Sequence, residues 1–282
     1  SSLAQLADVT GDEKFLERAK SFYENGLNEI RDEIGWVIES SAGESPSDLG
    51  ECNNTGDIVE TALILGRHGF AGYYQDAELI LRCHLLPSQL RDNSFIVDPP
   101  NPNGIDGLRS VRDRHMGAFG FPAPYGHHPV GVQNVSFNMD IVGGAVGSLC
   151  AALSESTVSS QNGHQVNLLF DRETSAISTR SGPEPGKVTV VTKTPGPLRV
   201  RIPESVDLSS PETVVPESFE PVGDYLVCPE PPVDTPLEIR YKLVERDLVM
   251  HHKAHDIRVR LLGDTVQYMD SFGANLTFFP EF

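Results

Sequence analysis

The chain lacks paired cysteines. Its four (Cys52, Cys83, Cys150 and Cys228) are spread through 282 residues with no Cys-x-x-Cys spacing, which excludes a disulfide framework and a zinc ribbon. Two or three of them read as buried, inert thiols, and Cys150, among Leu149, Ala151 and Leu153, reads as core. Positive charge is also scarce: 22 Lys and Arg stand against 40 Asp and Glu, a formal net charge of -18. Nucleic acid and anionic membrane surfaces both require a cationic face, so neither is expected as a partner. No apolar run is long enough to span a bilayer, and no signal-peptide pattern opens the chain. The sequence begins Ser1-Ser2 rather than Met, directly in a helical pattern. A leader or upstream domain is therefore left open, and localisation with it.

What is present changes character near residue 157. Before it the apolar period is helical. Phe15, Leu16, Ala19, Phe22, Tyr23, Leu27 and Ile30 recur at three-to-four spacing after a Gly11-Asp12 start. Gly35-Trp36-Val37-Ile38 is short and extended in character. Ile58, Thr61, Ala62 and Leu65 predict a second helix beginning near Ile58, and Tyr74, Ala77, Leu81 and Leu85 a third paired with it. Residues 93–136 form a long irregular segment carrying Phe121, Tyr125, His127 and His128, and loops of that length usually serve function or are disordered. A helix then runs from about Met139 to Leu153, its small residues predicting close backbone approach.

After Ser160 the period becomes two. Asn162-Gly163 is a hairpin signal, and strands are expected at 166–170, 187–192, 198–202, 225–228, 237–243, 257–262 and 265–269. The fold class is therefore α then β: a helical domain over 1–157 and an antiparallel β-sandwich over 158–282.

Chemistry concentrates at Gly50-Glu51-Cys52-Asn53-Asn54-Thr55-Gly56-Asp57, where a carboxylate and a thiol enter a helix together. A helix N-terminus favours anions and lowers the pKa of a nearby thiol. Glu39, Glu44, Glu51, Asp57 and Glu60 crowd the same entrance, and two carboxyl groups at suitable separation can act as general acid and base. Asp57 and Glu60 read as helix-stabilising and solvent-facing residues. Glu44 and Glu51, in loop sequence, are the candidates for catalysis. Of His127 and His128 at most one reaches a given site, because neighbours on an extended chain point apart. His251, His252 and His255 read as a solvated linker at a sheet edge.

Several of these segments carry a resemblance. Val9-Thr10-Gly11-Asp12-Glu13-Lys14-Phe15-Leu16 resembles the recurring helix start of six-hairpin glycosidases. Glu51-Cys52, Asp76-Ala77-Glu78 and His84-Leu85 resemble, in order, segments of the β-L-arabinofuranosidase-type glycoside hydrolases of family 127. Gln165–Phe170, Leu198-Arg199-Val200-Arg201-Ile202-Pro203 and Gly263-Asp264-Thr265-Val266 are similar to that family's sandwich strands.

The resemblance implies an (α/α) toroid of about twelve helices, of which only some five are legible here, so the chain is expected to be the C-terminal part of such an enzyme or a truncated relative. A missing N-terminal toroid segment or an oligomer partner would complete it. The resemblance also implies a cysteine nucleophile on zinc, held by one Glu and three Cys. Cys52 matches the first Cys, but Gly50 stands where the ligand Glu belongs. The vicinal Cys pair, expected near Asp140 to Gly144, is absent.

No metal and no cofactor is therefore expected, with zinc disfavoured. The leading reading is a glycoside hydrolase acting on a plant or bacterial polysaccharide or oligosaccharide. Glu51 and Glu44 would be its catalytic carboxylates, with Cys52, Asp140, His127, Tyr125 and Phe121 binding substrate, in a pocket between the 39–57 loop, the 93–136 loop and the start of the 139–153 helix. A non-catalytic carbohydrate-binding or assembly subunit is the second reading. A polysaccharide lyase is the third, opposed by the lack of an Arg/Lys cluster in the candidate loops.

Overall fold

The computed structural model describes residues 1–39, 49–127, 139–182, 185–252, 255–270 and 276–282. Among them the helices come first and nearly all strands follow, with the change falling between Ser156 and Thr157 and no linker between. Helix α1 (Ser2–Thr10) stops at Gly11, which takes a left-handed φ of 69°. Helix α2 (Glu13–Gly26) is capped by Asp12, whose side chain accepts the Lys14 N–H at 3.0 Å. No helix among the described residues is long and apolar enough to cross a membrane.

Helix α3 (Cys52–Arg67) starts six residues before the expected Ile58. Asn53, Asn54, Thr55 and Gly56 are weak helix formers, and tertiary contacts override that preference. The Glu51 carbonyl accepts the N–H groups of Asn54 and Thr55, and Thr55 Oγ1 donates to the Gly35 carbonyl at 3.0 Å. Gly56 lies so close to Ser148 that an added Cβ would sit 3.1 Å from the serine Cβ. Ser148 belongs to α6 (Met139–Ser156), which packs along α3. This is the close approach that the small residues of α6 predict.

Ile141, Ala145, Ser148 and Ala152 are the buried stripe of α6. Cys150 lies off that stripe and is exposed, which corrects its expected place in the core. Helix α4 (Gly72–Ile80) winds into a π-helical turn, Leu81–Leu85. The irregular segment then holds the short α5 (Val111–Arg114) and a hairpin of β1 (Pro122–Ala123) and β2 (Gly126–His127).

Two sheets follow. One has the order β3 (Thr157–Ser160), β4 (Gly163–Val166), β8 (Leu198–Arg201), β10 (Tyr225–Cys228), β9 (Glu220–Val222), antiparallel except for the parallel β4–β8 pair. The other is β11 (Leu237–Arg240), β7 (Lys187–Thr192), β6 (Ile177–Arg180), β5 (Arg172–Glu173), all antiparallel. Val166, Val200 and Leu226 from the first meet Ile177, Val188, Val190 and Ile239 from the second in one core.

A third sheet, β12 (Glu245–His251), β13 (Asp256–Leu262) and β14 (Thr265–Met269), behaves differently. Its Met250, Ile257, Val259 and Leu261 pack with Ile34, Trp36, Cys83 and Tyr125. It thus shares a core with the helical half. Finally β15 (Leu276–Thr277) pairs with β2, and the Phe278 N–H donates to the Tyr125 carbonyl.

Candidate functional site

The N-terminus of α3 is held in place by backbone pairing. The Gly50 N–H donates to the Pro122 carbonyl at 2.8 Å and the Cys52 N–H to Gly120 at 3.2 Å, while Ile38 bridges Gly50 on the other side. Glu51 is the N-cap residue, extended at φ -137°, and is half-buried. Asn54 and Asp57, three residues apart in the first two turns of α3, share a face.

Beside them runs a mostly apolar cavity of about 350 Å3, with Tyr23, Leu27, Val37 and Ile58 in its walls and Glu39, Asn54 and Asp57 among its polar lining. It was expected between the 39–57 loop, the 93–136 loop and the start of α6. Of these only the first contributes, through Glu39, Asn54 and Asp57; α1, α2, the segment from Leu27 to Ile38 and, further along α3, Ile58 and Thr61 supply the other walls. Two of the acidic residues are engaged: Asp57 Oδ1 accepts from Ser1 Oγ at 2.7 Å, and Glu60 Oε2 from Gln5 Nε2 at 2.8 Å.

Cys52 points away from solvent. Its Sγ donates to Ser88 Oγ at 3.3 Å, and burial pushes the thiol up to about 11 despite that bond and one from the Gly120 segment. A thiol in that state is protonated at neutral pH and is a poor nucleophile. Gly50 has no room for a side chain. The Trp36 indole nitrogen occupies the space a Cβ would take, and the Val37 carbonyl lies 2.8 Å from it. Among the described residues no three His, Cys, Asp or Glu side chains converge to hold a metal ion. These residues do not fit a thiolate–zinc centre.

The aromatic and histidine candidates form a buried lattice rather than an open platform. Tyr125 is fully buried, and its hydroxyl donates to Asp32 Oδ2. Burial first, then Asp32, drives that hydroxyl well above the usual tyrosine range. Asp32 Oδ1 accepts the N–H groups of Ile34, Gly35 and Trp36, and Oδ2 also pairs with His252 Nε2 at 3.0 Å. His252 stacks on Trp36 with ring centroids 4.5 Å apart, so it is core and not the solvated linker expected.

His127 is buried against Phe278, at 4.9 Å between centroids, and burial lowers its pKa to about 4. Phe121 is half-buried against the helical core. Tyr125 and His127 accordingly offer no open face to a sugar. Glu44 and His128 lie outside the described residues, and Asp140 is placed only by its backbone, in the first turn of α6.

The strongest electrostatic feature was missed. Glu78 of α4 and Arg201 of β8 form an ion pair across the two halves of the chain, each about 2% exposed. Glu78 also accepts from Arg82 Nε at 2.9 Å and from the Leu169 N–H at 3.0 Å. Arg201 also donates to Gln75 Oε1 at 2.7 Å and to the Asn167 carbonyl at 2.5 Å. Burial pushes the Glu78 carboxyl up, but Arg201 and Arg82 together hold it below the ordinary range. A signal existed: Glu78 follows Ala77 and lies four residues after Tyr74, on a face otherwise apolar, and a buried charge demands a partner.

No protein-family model matches the chain, and no curated protein matches it. Solved structures do. A GH127 β-L-arabinofuranosidase from Geobacillus stearothermophilus T6 superposes with a TM-score of 0.58 at 16% identity. A second GH127 β-arabinofuranosidase gives 0.62 at 15%, and a glycoside hydrolase 0.56 at 13%. Each match covers 94% of this chain but only 45% to 49% of the other, so the chain spans about half the length of the structures it resembles. A helical half continuing straight into mostly antiparallel sheets is similar in fold to about half of these glycoside hydrolase structures.

Proposed function

We propose that the chain is the toroid-plus-sandwich part of a glycoside hydrolase-like protein that acts on a plant or bacterial polysaccharide or oligosaccharide. Any hydrolysis runs on carboxylates and not on a Cys52 thiolate. The observation that carries this reading is the cavity beside the α3 N-terminus: Glu39 and Asp57 line it, and Glu51 is the N-cap of the helix that carries Asp57, while Cys52 is turned inward and protonated. Glu51 and Glu44 are the proposed acid and base. The fold likeness supports carbohydrate as the ligand class, and the neutral sugar suits a surface with so few cations.

A further helical segment would complete the toroid. The outward face of α6 supports this, since residues 141–153 carry no charge and leave Val146 and Leu153 exposed. Screening aryl glycosides and oligosaccharides with the wild type, Glu51→Gln and Cys52→Ser tests the mechanism. Loss of turnover in Glu51→Gln with activity kept in Cys52→Ser is expected, and equal turnover by Glu51→Gln and wild type removes Glu51 from it.

A second reading, a carbohydrate-binding or assembly subunit without catalysis, is favoured by the engagement of Asp57 and Glu60 with Ser1 and Gln5. Sugar binding with no turnover on any substrate would select it.

A further inference from the structure

We propose that the groove between α2, the turn from α3 into α4, and the loops after β8 and between β9 and β10 binds an organic ammonium compound. Such a ligand carries a protonated amine beside an apolar carbon face. The groove has a volume of about 610 Å3, within the range of small-molecule sites. Tyr23, Phe70 and Tyr73 line it from the helical half, and Glu204 and Asp224 from the sheets.

The sheet wall is anchored to the buried Glu78–Arg201 pair. Gln75 Oε1 accepts both Arg201 Nη1 at 2.7 Å and the Glu204 N–H at 3.1 Å. The Ile202 N–H donates to the Asp224 carbonyl at 2.9 Å and joins the two loops. Glu204 and Asp224 are exposed, and their carboxylates make no hydrogen bond or ion pair among the described residues.

The helical wall shows how this groove receives cations. Lys20 Nζ pairs with Glu24 at 2.6 Å and lies 5.5 Å from the centroid of Phe70. Arg31 pairs with Asp76 at 2.9 Å and lies 5.1 Å from the centroid of Tyr23. Each is a cation held by a ring and a carboxylate together. Glu204 and Asp224 are carboxylates that still lack a cation, and Phe70 is 41% exposed.

This arrangement discriminates among ligand classes. The two lining cations are both committed and stand with four carboxylates, so an anion is repelled. A bare metal ion finds no three acidic, histidine or cysteine side chains converging among the described residues. A neutral ligand gains nothing from the charge of Glu204 and Asp224. An ammonium group uses that charge, and the carbon face beside it packs on Phe70. Two sources carry this chemistry, an amino sugar and an aliphatic diamine.

Glu51 does not line the groove, and the proposal does not rest on hydrolysis. The glucosamine dimer, its N-acetylated form and cadaverine are titrated into the whole chain at slightly acidic pH, where the amines are protonated. Calorimetry at low and high salt follows the binding. The glucosamine dimer is expected to bind roughly tenfold tighter than the neutral N-acetylated form, and less tightly at high salt. Glu204→Gln with Asp224→Asn should weaken it about tenfold and leave the ligand-free thermal midpoint unchanged, since neither carboxylate has a partner to lose. Phe70→Leu keeps the apolar bulk and should weaken it about threefold. Cadaverine binding as tightly as the dimer assigns the site to aliphatic amines, and weaker binding assigns it to amino sugars; either sustains the proposal. Equal binding of the dimer and its N-acetylated form, no binding of either amine, or binding untouched by the carboxylate pair overturns it. So does binding that is lost in Glu51→Gln.

Discussion

Replacing His84 should change how stability depends on pH. His84 sits in the π-helical turn, fully buried, and neither ring nitrogen has a hydrogen-bond partner among the described residues. Its neighbours are the edge of Tyr125 at 5.5 Å and Phe278 at 6.1 Å. Burial dominates its titration and lowers the pKa from 6.5 to about 4; Asp32 opposes this weakly, and His127 and His252 reinforce it.

The folded pKa is depressed, so below the unfolded value of 6.5 the unfolded chain binds more protons than the folded one. Stability from this group is complete above that value, is lost as pH falls towards about 4, and levels off below. The full loss is roughly 3 kcal/mol, of which about 2 kcal/mol has gone by pH 5. His127, lowered to about 4 as well, adds a loss of the same order.

In His84→Phe no hydrogen bond is broken and an apolar ring replaces an unsatisfied one, so the variant should be at least as stable at neutral pH. Urea unfolding at about pH 7 and pH 5 measures the effect, with the slope checked for constancy. Wild type should lose about 2 kcal/mol more than His84→Phe between the two. An equal loss in both proteins, or a His84→Phe chain that is unfolded at neutral pH, refutes the reasoning.

Two further outcomes are expected. Arg201→Met leaves Glu78 buried with Arg82 alone and should cost about 3 to 5 kcal/mol in urea unfolding, part of which Glu78→Gln in the same chain should restore. With a thiol reagent, Cys150 should react at once and Cys52, Cys83 and Cys228 only on unfolding; a second fast thiol, mapped to Cys52, would show that the α3 mouth admits solvent to it.

Much of the architecture was legible because it rests on local periodicity. The helices around Phe15, Ile58 and Tyr74, and the strands at 187–192, 225–228 and 265–269, follow from apolar spacing alone. What escaped depends on distant partners. Strand β12, Glu-Arg-Asp-Leu-Val-Met-His, buries only Met250 fully, so it shows no clean alternation. His252 looked solvated because Trp36 and Asp32, which enclose it, lie more than two hundred residues away. The early start of α3 needed Gly35 and Ser148 to compensate for poor helix formers. The candidate site was legible as a place, the Glu51–Cys52 entrance. The inward turn of the thiol and the plugging of Gly50 by Trp36 were not, since neither has a local signature.

The short strand Leu276–Thr277 has a consequence for the order of events during synthesis. It completes the sheet begun by Gly126–His127, and Phe278 covers the His127 ring. The ribosome delivers the helices first, so the hairpin beside the α3 entrance waits with an open edge while the intervening sheets are made. Its closure joins residues 127 and 276, and closures between such distant residues slow folding. A protein cut just before Leu276 would therefore keep its central cores and lose its finish. Until Leu276 and Thr277 have been made, that unpaired edge is the place where a chaperone or a neighbouring nascent chain would take hold.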